Sequence, residues 1–204
     1  MFKPSFFYII KQRSVQKDFL YEFYFKDKVV LDIGCGQGDF LKNNKEKIFG
    51  IDANETVVNK LAETGYWVKK NDVGNLEFGN GSFDAVNCRN VIEHLEILSA
   101  RAMLTEIKRV LKPGGIAVLS SEMPTKKFWN TFGHVKPYPP AAIKKLLRKD
   151  SGEKFAEIDG LEILECFYFG DYYKNKLLYF LSVLVAFYLP ILRREYFLVL
   201  KKNK

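Results

Sequence analysis

Three glycines at alternate positions, Gly34, Gly36 and Gly38, follow an apolar run from Val29 to Ile33 that carries one acid, Asp32. Glycine adopts backbone angles closed to other residues and, lacking a Cβ, lets the main chain lie directly against a ligand. Asp52 falls close to the roughly 20-residue offset from the first glycine at which a carboxylate meets ribose hydroxyls. A carboxylate suits that task because it only accepts, and a diol offers two donors. The plainer alternative for Asp52 is a helix cap before Asn54. The chain has only two histidines, His94 and His134. Histidine titrates near neutrality and can take a proton from a reactant. Their plainer roles are packing or capping a helix for His94 and fixing a loop for His134. Of the two, His134 is better placed for reactant contact, because its stretch also supplies Trp129 and Tyr138.

These residues need a frame. Val29 to Ile33 lacks polar alternation and is expected to be a buried parallel strand. With the glycine turn and a helix opening at Phe40 and Leu41, it makes a nucleotide-cofactor half-unit. A dinucleotide fingerprint would put its third glycine at position 39, which is Asp, so a nicotinamide oxidoreductase is disfavoured. Ile48 to Asp52 is expected as a second strand, 54–64 as a helix with Val57, Val58 and Leu61 inward, and Tyr66 to Val68 as a third strand. A turn-rich stretch from Asn71 to Ser82 leads to a fourth strand, Phe83 to Cys88. Arg89 to Leu95 then leaves its carboxyl end, where open α/β sheets place their ligands. An amphipathic helix follows with Leu98, Met103, Leu104, Ile107, Val110 and Leu111 on its core face. Lys112-Pro113-Gly114-Gly115 stops it, and Ile116 to Ser120 makes a fifth strand. Residues 5–24 are expected to form a helix leading into the first strand.

Asp32 with Gly34-x-Gly36-x-Gly38, then Asp72, Leu76, Phe78, Ser82-Phe83-Asp84 and Val86, then Leu111-Lys112-Pro113-Gly114-Gly115, together resemble the class I S-adenosylmethionine-dependent methyltransferases from Val29 to Glu122. The resemblance implies a Rossmann-like, seven-stranded, mostly parallel sheet with helices on both faces and an antiparallel last strand. It implies S-adenosylmethionine as cofactor, S-adenosylhomocysteine as product, and a cofactor site of Asp32, Gly34, Cys35, Gly36, Gly38, Asp52, Ala53 and Arg89. It further implies that Asp72 accepts from the adenine amino group and Val73 packs on the ring; on turn chemistry alone Asp72 is an exposed turn acid. Gly133 to Pro140 is similar to a segment of ubiquinone-biosynthesis-like methyltransferases that lines the acceptor pocket, which implies substrate contacts from Trp129 and Tyr138. The reaction so implied is in-line methyl transfer to a small-molecule or lipid-like acceptor. The alternatives are a non-catalytic cofactor- or partner-binding module and a methyltransferase acting on a macromolecule. Nucleic-acid amino-methyltransferases typically carry Asn- or Asp-Pro-Pro-aromatic after strand four; Asn87-Cys88-Arg89-Asn90 disfavours that class. The chemistry requires no metal and no ligand cluster is visible, so none is expected.

At 204 residues and 48% hydrophobic content the chain suits one domain, 1–204, with a core at 26–122, an acceptor-side loop and helix at 122–150, and C-terminal strands with a hydrophobic helix at 160–204. Three cysteines without paired spacing argue against a disulfide framework or zinc site and favour a reducing, cytoplasmic setting. Phe6 to Ile10 is too short an apolar run for a signal peptide. The net charge of +8 comes mostly from lysines spread along the chain, which suits a solvated surface better than a nucleic-acid footprint. Residues 122–138 form a long aromatic connection, expected as a binding loop. A helix from Pro139-Pro140 to about Lys149 and strands at Ile163 to Phe169 and Tyr196 to Leu200 complete the pattern. Leu177 to Leu192 is apolar but shorter than the roughly 20 residues that span a bilayer, and Pro190 breaks it. Its basic flanks, Lys174, Lys176, Arg193 and Arg194, are those of an interfacial helix. A core-packed or acceptor-covering helix is preferred over peripheral membrane contact, because the last strand must return to the sheet. No pattern sets an oligomeric state.

Overall fold

The computed structural model describes residues 20–148, 158–171 and 175–204. Strand β1 (Val30–Ile33) is buried at every residue because it lies mid-sheet with apolar elements on both faces. It pairs in parallel with β2 (Ile48–Asp52) and β4 (Phe83–Arg89). Strand β3 (Val68–Lys70) extends the β2 side, and β5 (Leu111–Glu122) extends the β4 side. Strand β7 (Glu195–Lys202) runs antiparallel between β5 and β6 (Leu161–Phe169). The order is β3-β2-β1-β4-β5-β7-β6, as expected for the seven-stranded frame with its antiparallel last strand. Strand order reverses between β1 and β4, which opens a crevice at their carboxyl ends.

Side chains alternate across this sheet and build two cores. Leu31, Ile33, Leu198 and Leu200 meet Met103, Leu104, Ile107 and Val110 of helix α2 (Ile97–Val110) on one face. On the other, Val30, Ile48, Phe197 and Val199 meet Leu61 of helix α1 (Glu55–Glu63) and Phe25 of a π-helical turn, Tyr21–Phe25. That turn is the described part of the expected 5–24 helix; residues 5–19 lie outside the described residues.

Several boundaries differ from expectation for local reasons. No α-helix follows the glycine turn: Phe40 and Leu41 are buried, but the chain makes only a 3-10 turn, Leu41–Asn43. Asn44 Oδ1 accepts from the backbone N–H groups of Glu46 and Lys47, both at 3.0 Å, and this side-chain turn diverts the chain into β2. β3 starts two residues late because Tyr66 N–H still bonds Leu61 O at the exit of α1. Leu98 is 68% exposed, not core-facing, since it lies opposite the Ala100, Met103, Ile107 stripe of α2. Leu111 is buried as the first residue of β5, where it pairs with Phe83 before the Pro-Gly-Gly bulge. The 122–138 connection contains a short helix, α3 (Lys126–Asn130), capped by the Thr125 side chain. Helix α4 spans Pro140–Leu146 with Leu147 as its C-cap, and so ends short of the expected Lys149, which itself lies outside the described residues.

Helix α5 (Lys176–Tyr188) buries Tyr179, Val183 and Ala186 but turns Leu177, Leu178, Leu181 and Tyr188 outward. Arg193 stacks on Tyr168 at 3.8 Å and Arg194 pairs with Asp171. Among the described residues no helix is long and apolar enough to cross a membrane.

Candidate active site

The glycine turn sits at the carboxyl end of β1, at the crevice. Gly34, Gly36 and Gly38 all have positive φ, at 69°, 49° and 77°. A Cβ on Gly34 would come 2.4 Å from Val91 Cγ2, so that glycine serves packing as well as backbone shape. A Cβ on Gly36 would meet nothing nearer than 4.0 Å, so this side of the loop is open to a ligand. The Gly36 N–H donates to Asp52 Oδ2 at 3.0 Å, and Asn54 N–H to Asp52 Oδ1 at 2.9 Å. Each oxygen keeps a further lone pair for a donor. Helix α1 is capped by Asn54, whose Oδ1 accepts from Thr56 and Val57, and not by Asp52. Exposed Ala53 lies between them.

Beside the turn lies a cavity of about 230 Å³ lined by Asp32, Gly34, Cys35, Asn87, Arg89 and Asn90. Buried Asp32 accepts from Asn87 Nδ2 at 2.6 Å, while Asn87 Oδ1 is buried without a hydrogen-bond partner. The site thus offers an acid and an orphaned acceptor, the chemistry that holds an ammonium group, and the Arg89 guanidinium suits a carboxylate. The donor set fits the amino-acid end of S-adenosylmethionine. Burial, helped by the Asp32 and Asp52 charges, pushes the Cys35 thiol up to about 12, so it stays protonated near neutral pH. Asn90, with φ of 54°, is pinned to β5 through Ser120.

At the end of β3, Asn71 N–H bonds Asp52 O at 3.2 Å, which brings the Asp72 turn next to Asp52. Exposed Asp72 uses Oδ1 to accept from Gly74 N–H at 2.6 Å, and Val73 packs half-buried on the core. What holds this loop is a network that motif reasoning missed. Glu106 Oε2 accepts from Leu76 N–H, and the Arg109 guanidinium donates to Glu106 and to the carbonyls of Leu76 and Phe78, each at 2.7 Å. The available signal was the Glu-x-x-Arg spacing on α2, a neighbouring pair on a helix.

The loops after β4 and β5 bring His94 and His134 together, with ring centroids 5.0 Å apart. Val135 and Lys136 donate backbone N–H groups to Glu93 O, and His94 Nδ1 lies 2.8 Å from Gly133 O. Buried Phe128 packs on His134 at 4.6 Å. Glu93, not singled out from sequence, is fully buried here. Burial pushes its carboxyl above the usual range, against the opposing pull of the two imidazoles. Tyr138 donates to Leu95 O at 3.0 Å and lines a second cavity, of about 370 Å³, with Ile92, Ile97, Leu104, Arg101 and Lys136. Its phenol is pushed up to about 12, by burial and then by the Glu96 charge. Trp129 is separate: it is 63% exposed and meets Phe128 edge-on.

A reversing sheet with a glycine turn at its switch point and an acid ending β2 defines a Rossmann-like nucleotide-cofactor fold. A family profile described as a methyltransferase domain matches residues 31–119. The chain is 26% identical over 157 residues to a ubiquinone biosynthesis O-methyltransferase of Rickettsia typhi, covering 65% of this chain and 62% of that protein. It is 37% identical over 93 residues to a tRNA (carboxymethyluridine(34)-5-O)-methyltransferase of Macaca fascicularis, covering 45% of this chain and 14% of that protein. It thus spans less than two thirds of either relative's length. A SAM-dependent methyltransferase from Archaeoglobus fulgidus shares the fold with a TM-score of 0.67 at 22% identity, over 97% of this chain and all of that one. The methyltransferase-domain match over residues 31–119, the methyltransferase relatives and the shared fold together support a class I S-adenosylmethionine-dependent methyltransferase.

Proposed function

We propose that this protein methylates a small-molecule or lipid-like acceptor. The observation that carries the reading is the apolar cavity of about 370 Å³, because two of its lining residues, Ile92 and Tyr138, belong to the same loops as His94 and His134. Arg101, Lys136 and Lys145 also line it, which suits an apolar acceptor that bears negative charge. When bound, S-adenosylmethionine supplies a methyl group on a good leaving sulfonium, open to in-line displacement. Asp32, Asn87 and Arg89 hold its amino-acid end, Asp52 the ribose, and Asp72 with Val73 the adenine. The protein's main task is then to align two reactants and receive the acceptor's proton, which the His94 and His134 cluster does. The outward apolar face of α5 supports delivery of such an acceptor from a bilayer surface.

A second reading, an RNA acceptor, is favoured by the tRNA methyltransferase relative. The test is incubation with S-adenosylmethionine carrying a deuterated methyl, in parallel with metabolite extract, lipid extract and total tRNA. Mass spectrometry should find label in an apolar small molecule or lipid. Label confined to tRNA would establish the second reading, and label nowhere would leave a binding module.

A further inference from the structure

Glu93, His94 and His134 each place a ligand atom within 4.8 Å of the others. Glu93 and His94 are consecutive, but His134 lies 40 residues further along the chain, and the meeting of the β4 and β5 loops assembles the three. Both Glu93 oxygens are buried with no hydrogen-bond partner, and so is His134 Nδ1. A buried acid in that state is expected to be paired or to coordinate a metal. Gly133 O can only accept, so the His94 Nδ1 beside it carries the proton and Nε2 keeps its lone pair. That is the second-shell arrangement by which a backbone carbonyl orients a ligating histidine.

We propose that Glu93, His94 and His134 bind a divalent transition-metal ion of the zinc type, with a coordination position left open for an acceptor oxygen. Two imidazoles and one carboxylate are a borderline ligand set of this kind, and three protein ligands leave a fourth place free. Ligands about 2.1 Å from a tetrahedral ion stand about 3.4 Å apart, so the cluster closes by modest side-chain rotation. The surrounding backbone is already held, because Glu93 O accepts from Val135 and Lys136 and Phe128 packs on the His134 ring. With the ion bound the two imidazoles are occupied as ligands, so a hydroxyl acceptor on the open position would release its proton to solvent in place of the histidines, and more readily, as metal-bound water does. That role rests on the methyl-transfer reading; the binding itself does not.

The test uses the full chain, stripped with chelator and titrated with zinc by calorimetry and with cobalt by visible spectroscopy. One ion per chain should bind, with ligand-field bands of a nitrogen and oxygen site. Glu93→Gln and His134→Ala should weaken zinc binding by roughly tenfold or more. Affinity for S-adenosylhomocysteine, measured on the same samples, reports that each variant is folded. Absence of uptake by the wild type would overturn the proposal whatever the variants do. So would a thiolate-to-cobalt charge-transfer band, or zinc affinity unchanged in both His94→Ala and His134→Ala. Methyl transfer that persists without any zinc uptake removes the metal and leaves the proposed function standing; uptake without methyl transfer does the reverse.

Discussion

Replacing Asp52 by Ala should weaken cofactor binding far more than it weakens the fold. Its carboxylate accepts from Gly36 N–H at 3.0 Å and from Asn54 N–H at 2.9 Å, so it shapes the open side of the glycine turn and keeps lone pairs for the proposed ribose contact. A hydrogen bond to a charged group contributes about 1.5 to 3 kcal/mol, which corresponds to roughly tenfold to 150-fold in affinity. Asp52 is only half-buried, so water can reach both N–H groups in the variant, and the cost to stability should stay near 1 kcal/mol. Asp52→Asn should fall between, because its one remaining oxygen can serve only one of the two donors. Titration calorimetry with S-adenosylhomocysteine, beside thermal melts followed by circular dichroism, separates the two effects. Unchanged affinity in a folded Asp52→Ala protein would refute the ribose role.

Three further outcomes are expected. Gly34→Ala should destabilise the protein, since the added Cβ meets Val91 Cγ2 at 2.4 Å at a φ of 69°; a backbone penalty of about 1 to 2 kcal/mol alone should show in denaturant melts, and a wild-type midpoint would count against it. Arg109 bonding holds the Glu106 carboxyl below its usual range, so its contribution is complete above the unfolded carboxyl pKa and is lost as pH falls through the lowered folded value; Arg109→Ala should flatten the acid limb of stability against pH, and an unchanged limb would contradict the network. Leu181→Asp, on the outward face of α5, should reduce co-sedimentation with anionic liposomes without lowering the melting point, whereas wild-type protein that stays in the supernatant would remove the bilayer reading.

The frame was legible where spacing carries the physics. Alternate glycines, the acid near the ribose offset and the Pro-Gly-Gly stop all follow from local rules, and β1, β2, β4 and α2 stand close to their expected places. Expectation failed where one side chain redirects the backbone: Asn44 replaces the anticipated helix after the glycine turn with a 3-10 turn. It also failed where a partner comes from another element. Glu106 and Arg109 look like a surface ion pair until the Leu76 and Phe78 carbonyls arrive, and Glu93 looks like a turn acid until the β5 loop buries it. The two histidines could be singled out by rarity, but their meeting depends on Gly133 and Val135, which no local pattern links to Glu93 and His94.

The central claim, that the turn at Gly34 to Gly38 holds a sulfonium nucleoside, is tested most directly by equilibrium binding to the purified wild-type chain. Calorimetric titration with S-adenosylmethionine, S-adenosylhomocysteine and NAD under one buffer condition suffices. Saturable binding of both sulfur ligands at one site per chain, with no heat from NAD beyond dilution, is the predicted result. Binding of NAD with no response to either sulfur ligand would contradict the account.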